Sequence, residues 1–188
     1  MSVSARTMTD EEFFYGHKAC PGCGGALAVR QALKVLGPYA VAALPAGCMS
    51  ATGFNFPQMA FGVNAMITPF AATAAVLSGI EAGLRAQGGK PDGCTVVGFA
   101  GDGGTADIGL QALSGAIDRN DDILYVCYDN EAYMNTGIQK SGLTPFGAAT
   151  TTTPAGAYEH GCLTQKKALF DIVCAHGIPY AATASIGH

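Results

Sequence analysis

An aspartate held in a glycine turn, Gly101-Asp102-Gly103-Gly104, is followed by a side-chain amide, Asn130, with 26 residues between Gly103 and Asn130. A carboxylate and an amide oxygen are hard ligands of the kind Mg²⁺ takes, and backbone N–H groups where a helix begins can hold a diphosphate. The pair therefore describes a site for a metal-bridged diphosphate. Asp102 and Asn130 would supply two of six oxygens and a backbone carbonyl such as that of Ala132 a third, with diphosphate oxygens and water completing the octahedron. Gly-Asp-Gly alone is common in turns, since short polar side chains favour local hydrogen bonds there. The spacing and the flanking elements weigh against that plain reading.

Those elements form one βαβ unit. Thr95 to Ala100 is a short apolar run bounded by turn signals, which predicts a buried strand aiming Asp102 out of its carboxyl end. Residues 105 to 119 place Ala106, Leu110, Leu113 and Ile117 at helical spacing, with Asp107 in the first turn. Ile123 to Tyr128 is a second buried strand. A right-handed crossover between parallel strands then brings Asn130 beside Asp102 at the carboxyl edge of the sheet, where ligands of α/β folds bind.

A second set of chemistry-bearing residues precedes this unit. The seven cysteines lie at 20, 23, 48, 94, 127, 162 and 174. An odd number without a secretory signal favours ligands and packing over disulfides. Cys20-Pro21-Gly22-Cys23 and Cys48, in Ala46-Gly47-Cys48-Met49-Ser50, stand among small residues whose N–H groups are free to bond to cluster sulfides. A lone Cys-x-x-Cys also suits zinc or redox exchange, although the second pair of a zinc ribbon is absent. Cys127 and Cys174 read as packing residues, while Cys94 and Cys162 fall in loops.

Only 13% of the 188 residues are charged and 49% are apolar, against a charged share of about 25% in typical soluble proteins. Much of the surface is therefore expected to be covered by partners. Val35 to Ile80 carries no Asp, Glu, Lys, Arg or His, yet Pro38, Pro45, Pro57 and Pro69 and several glycines interrupt every window long enough to span a bilayer. An Ala-rich helix is expected from about Asn64 to Ala86, with Glu81 and Arg85 four apart near its end. The opening Met1 to Glu12 lacks an apolar leader core, which predicts a cytoplasmic protein. A net charge of −4 and no basic cluster beyond Lys166-Lys167 give nucleic acid no footing. A helix over Thr164 to His176 and a strand over Ile178 to Ala184 are expected at the end, and a stop just past that strand reads as truncation.

The Gly-Asp-Gly turn, the spacing to Asn130 and the run Asn130-Glu131-Ala132-Tyr133-Met134-Asn135-Thr136-Gly137 resemble the thiamine diphosphate motif of 2-oxoacid:ferredoxin oxidoreductase β subunits, the pyruvate enzyme foremost. The resemblance implies an α/β, three-layer thiamine diphosphate-binding fold with a mainly parallel sheet, as one domain over 1–188 with a cysteine loop at about 16–50. It implies Mg²⁺ on Asp102, Asn130 and Ala132, diphosphate against the N–H groups of Gly103, Gly104 and Thr105, and Gly101 in the turn. Asn135 would face the thiazolium and substrate as the catalytic residue, with Thr136 as its neighbour and Met49 lining the cofactor pocket beside Cys48. Cys20, Cys23 and Cys48 match three ligands of a [4Fe-4S] cluster whose fourth would lie beyond residue 188, and the activating glutamate would come from a partner α subunit. The implied reaction decarboxylates a 2-oxoacid oxidatively to acyl-coenzyme A and CO₂, passing electrons to ferredoxin, in a heteromer with α-, γ- and δ-type subunits and with no membrane or nucleic acid partner. A non-redox thiamine diphosphate decarboxylase or synthase, and a non-catalytic α/β scaffold subunit, are the competing readings.

Overall fold

A computed structural model describes residues 9–187; residues 1–8, part of the polar opening segment, and His188 lie outside them. The frame is a four-stranded, wholly parallel sheet in the order β4-β1-β5-β6, built from β1 (Val41–Pro45), β4 (Asn64–Thr68), β5 (Val96–Gly101) and β6 (Leu124–Tyr128). A two-stranded antiparallel hairpin, β2 (Phe54–Asn55) with β3 (Gln58–Met59), stands apart from it.

The apolar runs of β1 and β5 are buried almost throughout, because helices cover both faces of a parallel sheet. Ala42, Leu44, Val97 and Phe99 face one layer, where α1 (Gly24–Leu36) contributes Ala26, Val29 and Leu33, and α2 (Cys48–Gly53) contributes Met49. Ala43 and Val96 face the opposite layer, where α3 (Thr73–Ala86) presents Leu77. Gly98 lets that helix approach, since a Cβ there would lie 2.7 Å from Leu77 Cδ1. The α4 helix (Leu110–Asp118) packs beside α3 through Ala74, Leu113 and Ala116. The three layers match the expected architecture.

Several expectations give way. The segment 64–86 is not one helix: Asn64–Thr68 pairs with β1 as β4, and α3 starts only at Thr73. Pro69 lacks an N–H and fixes its own φ, so it separates the two, while Ile67 and Thr68 suit a strand. The predicted pair does form on α3, with Arg85 Nη2 2.6 Å from Glu81 Oε1. The helix expected over 105–119 divides into a π-helical turn, Gly103–Asp107, and α4. Gly109 stands at the junction with no room for a side chain, because a Cβ would lie 2.0 Å from the Gly104 carbonyl oxygen.

The C-terminal region differs most. The last helix, α5 (Leu169–Cys174), spans six residues rather than Thr164 to His176, and Ile178 to Ala184 forms no strand. That run carries Pro179 and, among the described residues, has no hydrogen-bonded strand beside it, β6 pairing there with β5 alone. Cys174, expected to pack inside, is exposed, whereas Cys127 is half-buried and its thiol is pushed up to about 11 by burial. No helix among the described residues is long and apolar enough to cross a membrane.

Candidate functional site

The parallel register sets the ends of β5 and β6 level, pairing Gly101 with Tyr128. The chain leaving β5 delivers Asp102, and the chain leaving β6 delivers Asn130 two residues past its end. Asp129 accepts the Glu131 N–H at 3.0 Å, closing a local turn. Glu131 adopts a left-handed φ of 68°, a conformation costly for a residue with a side chain. It reverses the backbone so that the Ala132 carbonyl returns toward Asp102.

The Asn130 carboxamide lies 2.9 Å from both Asp102 Oδ1 and the Ala132 carbonyl oxygen. With its oxygen turned inward, three oxygens converge with no donor among them, which is the demand a hard cation meets; with its nitrogen inward, the amide donates to both. Asp102 is 1% exposed, and its other carboxylate oxygen accepts the Ser141 hydroxyl. Burial pushes the Asp102 carboxyl up to about 6, against the Ser141 hydroxyl, which favours the charged form. Bringing a divalent cation to this carboxylate would reverse the burial penalty by supplying opposite charge.

These groups open onto a cleft at the carboxyl edge of the sheet. Gly101, Asp102, Gly103, Gly104, Asn130, Ala132, Asn135, Thr136 and Cys48 all line it. Asn135 and Thr136 are exposed, and the Thr136 hydroxyl donates to Gln139 Oε1 at 2.6 Å. The side chains of two named residues lie behind the wall instead. Thr105 is buried with its hydroxyl 2.7 Å from the Gly101 carbonyl, and Met49 sits in the core below α1.

Residues absent from the sequence-based set complete the walls. Tyr133 lays its ring over Gly103, where a Cβ would lie 2.2 Å from the ring, and meets Phe70 edge-on at 6.0 Å between centroids. Its hydroxyl donates to Asp107 Oδ2 at 2.8 Å, and the Gly142 N–H donates to the same oxygen. The other Asp107 oxygen pairs with Lys167. Tyr133 stands inside the quoted motif, so its aromatic ring beside a glycine turn was a usable signal. Ser141 and Lys167 carried none.

The cysteines lie to one side. Cys23 caps the start of α1 and Cys48 opens α2, so two helix N-termini approach one neighbourhood, which favours negative charge there. The Cys23 N–H donates to the Cys20 carbonyl at 3.1 Å, closing the Cys-x-x-Cys turn. Burial raises the Cys48 thiol, and charge on Cys23 and Cys20 raises it further, while the Asn130 side chain works the other way. All three thiols are free. Among the described residues no three His, Cys, Asp or Glu side chains are arranged as a finished metal site. The oxygen set around Asp102, one carboxylate with an amide and a carbonyl, lies outside that description.

Residues 45–187 match the family model described as thiamine pyrophosphate enzyme, C-terminal TPP binding domain. The chain is 54% identical over 182 residues to the ketoisovalerate oxidoreductase subunit VorB of Pyrococcus horikoshii, covering 95% of this chain and 58% of the relative. It is 52% identical over 180 residues to the pyruvate synthase subunit PorB of Methanothermobacter thermautotrophicus, covering 95% and 62%. The chain thus spans about three fifths of the length of the curated relatives it matches. Among solved structures, a 2-oxoglutarate:ferredoxin oxidoreductase from Magnetococcus marinus, with 2-oxoglutarate, coenzyme A and succinyl-CoA bound, superposes with a TM-score of 0.66 at 23% identity, over 92% of this chain and 54% of that one. That likeness establishes the fold.

Proposed function

From the premise that this chain belongs to the thiamine pyrophosphate enzyme family, through its C-terminal TPP-binding domain, we propose that it is the thiamine diphosphate- and [4Fe-4S]-carrying subunit of a 2-oxoacid:ferredoxin oxidoreductase. The observation that carries this reading is the convergence of Asp102 Oδ1, the Asn130 amide and the Ala132 carbonyl beside a glycine turn. The similarity to pyruvate synthase and ketoisovalerate oxidoreductase subunits supports the oxidoreductase class over a non-redox decarboxylase or a scaffold.

In this reading Asp102, Asn130 and Ala132 hold Mg²⁺, and the N–H groups of Gly103, Gly104 and Thr105 face the diphosphate. The donor set fits, since all three are hard oxygens at one point. Bound there, thiamine diphosphate supplies the electron-accepting thiazolium that loss of CO₂ from a 2-oxoacid requires. Asn135, exposed in the cleft wall, binds the substrate carboxylate or keto oxygen with its amide, and Thr136 orders the adjoining turn through Gln139. Phe70 and Tyr133 exclude water from one side.

Cys20, Cys23 and Cys48 hold three corners of a [4Fe-4S] cluster. Their free thiols and the two helix N-termini behind them fit an anionic cluster, which would accept electrons one at a time. Cys48 lines the cleft as well, so cluster and cofactor share a wall. Coenzyme A takes the acyl group and ferredoxin the electrons, in a cytoplasmic heteromer with α-, γ- and δ-type subunits. The substrate is a 2-oxoacid, pyruvate being the first to test and ketoisovalerate the second.

The test uses the full-length protein with every chain that co-purifies, prepared without oxygen. Calorimetry should show thiamine diphosphate binding that requires Mg²⁺, and a 2-oxoacid with coenzyme A should drive ferredoxin reduction. Cation-independent binding, or reduction unaffected by removing thiamine diphosphate, overturns the assignment.

A further inference from the structure

Ser141 and Thr144 lie beyond the motif that names the site, in a turn that is almost wholly buried: both are 1% exposed, and Leu143 between them is 2% exposed. Buried hydroxyls of this kind must find partners, because an unpaired one costs the full price of its lost hydration. Theirs lie on the two segments that carry the oxygen set. The Ser141 hydroxyl donates to Asp102 Oδ2. The Thr144 hydroxyl donates to the Glu131 carbonyl at 2.6 Å and accepts the Ser141 N–H at 2.9 Å. The Leu143 N–H returns to the Ser141 hydroxyl at 3.1 Å, fixing the direction in which that hydroxyl gives its proton.

We propose that Ser141 and Thr144 form a clamp that positions the metal ligands and selects Mg²⁺ over larger cations. The proposal rests on the Mg²⁺ and thiamine diphosphate reading of the site. Glu131 is the left-handed residue between Asn130 and Ala132, and the bond to its carbonyl holds the strained turn that presents both of them. On the other side, Ser141 occupies one carboxylate oxygen of Asp102 and leaves Oδ1 as the only one facing Asn130 and Ala132. A carboxylate so held ligates through one oxygen. Mg²⁺ takes one oxygen per carboxylate in a tight octahedron, whereas Ca²⁺ accepts both in a looser, larger shell. The clamp therefore sets the denticity of Asp102 as well as its direction. Ser141 and Thr144 are positioning residues, since Ser141 touches one ligand and Thr144 the turn between the other two.

The experiment titrates Mg²⁺ and, separately, Ca²⁺ into thiamine diphosphate with the full-length protein and its co-purifying chains, following cofactor binding by calorimetry. Losing an outer-shell partner costs about 10- to 100-fold in metal affinity, so Ser141→Ala should raise the Mg²⁺ requirement by about that factor. The Ca²⁺ requirement should move less, because the freed oxygen lets Asp102 chelate, and the Mg²⁺-to-Ca²⁺ preference shifts toward Ca²⁺. A merely structural serine would weaken both cations in step with a lower melting temperature. Thr144→Val should follow Ser141→Ala in its Mg²⁺ requirement, and Thr144→Ser, which restores the hydroxyl, should return it toward wild type; this pair decides the matter if Ser141→Ala does not fold. Equal loss for the two cations in Ser141→Ala, or a Thr144→Ser variant as impaired as Thr144→Val, overturns the clamp alone. A wild type that binds thiamine diphosphate without any divalent cation overturns the site reading and the clamp with it.

Discussion

The two groups of ligand-bearing residues differ in how far the fold alone has assembled them. Asp102, Asn130 and Ala132 meet at one point, the first and last buried and Asn130 half-buried, braced from behind by Ser141 and Thr144. Cys20, Cys23 and Cys48 share a neighbourhood, yet Cys20 is exposed and the three thiols are not gathered around a centre. The first group hangs from two adjacent parallel strands whose register is set by five paired residues, although β6 is a half-buried edge strand rather than the buried one its apolar run predicts, so the sheet carries its geometry. The second sits on a Cys-x-x-Cys turn and at the head of a six-residue helix, where little but the inorganic group itself would hold the sulfurs together. Under the proposed reading, one site would be organised before its ligand arrives and the other by it, as metal centres coupled to local folding are.

The sharpest way to break that contrast is to remove the carboxylate from the preformed site. Since outer-shell losses already reach about 100-fold, Asp102→Ala should abolish Mg²⁺-dependent thiamine diphosphate binding across any practical titration while leaving bound iron in place. Simultaneous loss of iron, measured by a colorimetric assay on anaerobic protein, would show that the two groups form a single cooperative unit.

The reciprocal change is Cys48→Ser. Serine is a poor ligand for a cluster that selects thiolates, so most of the iron and the associated visible absorption should disappear. Thiamine diphosphate should still bind with its Mg²⁺ requirement intact. Because Cys48 also lines the cleft, a changed cofactor affinity in this variant would mean that the thiol touches the cofactor directly.

How much of each region was legible follows the same division. The strands at 95–100 and 123–128 and the spacing between Asp102 and Asn130 are consecutive features of one βαβ unit, and hydrophobic periodicity with a fixed crossover hand is enough to place them. The partners that brace them were not legible. Ser141 lies 39 residues from Asp102, and Lys167 lies 60 from Asp107, with no periodic relation to either. The run Asn64 to Thr68 departs from its helical pattern for a related reason: its alanine and methionine suit a helix, and only pairing with β1 makes it a strand. The Ile178 to Ala184 run shows the converse, a strand-like composition without a neighbour to pair with.

A smaller effect tests why the turn is glycine-rich. The resemblance assigns the glycines to a close diphosphate, but Gly103 is already filled by the Tyr133 ring, 2.2 Å from where a Cβ would stand. Forcing a methyl into a packed site typically costs about 1–3 kcal/mol, so Gly103→Ala should lower the melting temperature of the cofactor-free protein. Gly103→Ala combined with Tyr133→Ala should recover much of that loss. Recovery of stability without recovery of cofactor binding would give Gly103 both duties, whereas no initial loss would mean that Tyr133 swings away freely.

The gentlest probe is acid, and it acts through Asp107, outside the ligand set. Burial alone would raise this carboxyl, but Lys167, the Gly142 N–H and the Tyr133 hydroxyl outweigh burial and hold it below the ordinary carboxylate range. A carboxyl whose folded value is depressed stabilises the protein fully above its unfolded value, near 3.9, and loses that contribution as pH falls through the lower folded value. Asp107→Asn keeps the shape but gives up the charge, and hydrogen bonds to a charged group are worth about 1.5–3 kcal/mol each, so a loss at the lower end of that range is expected at neutral pH. The wild type and the variant should then converge in denaturant midpoint as the pH drops below about 4. A gap that persists in acid would assign the effect to the lost shape of the Tyr133 wall rather than to its charge.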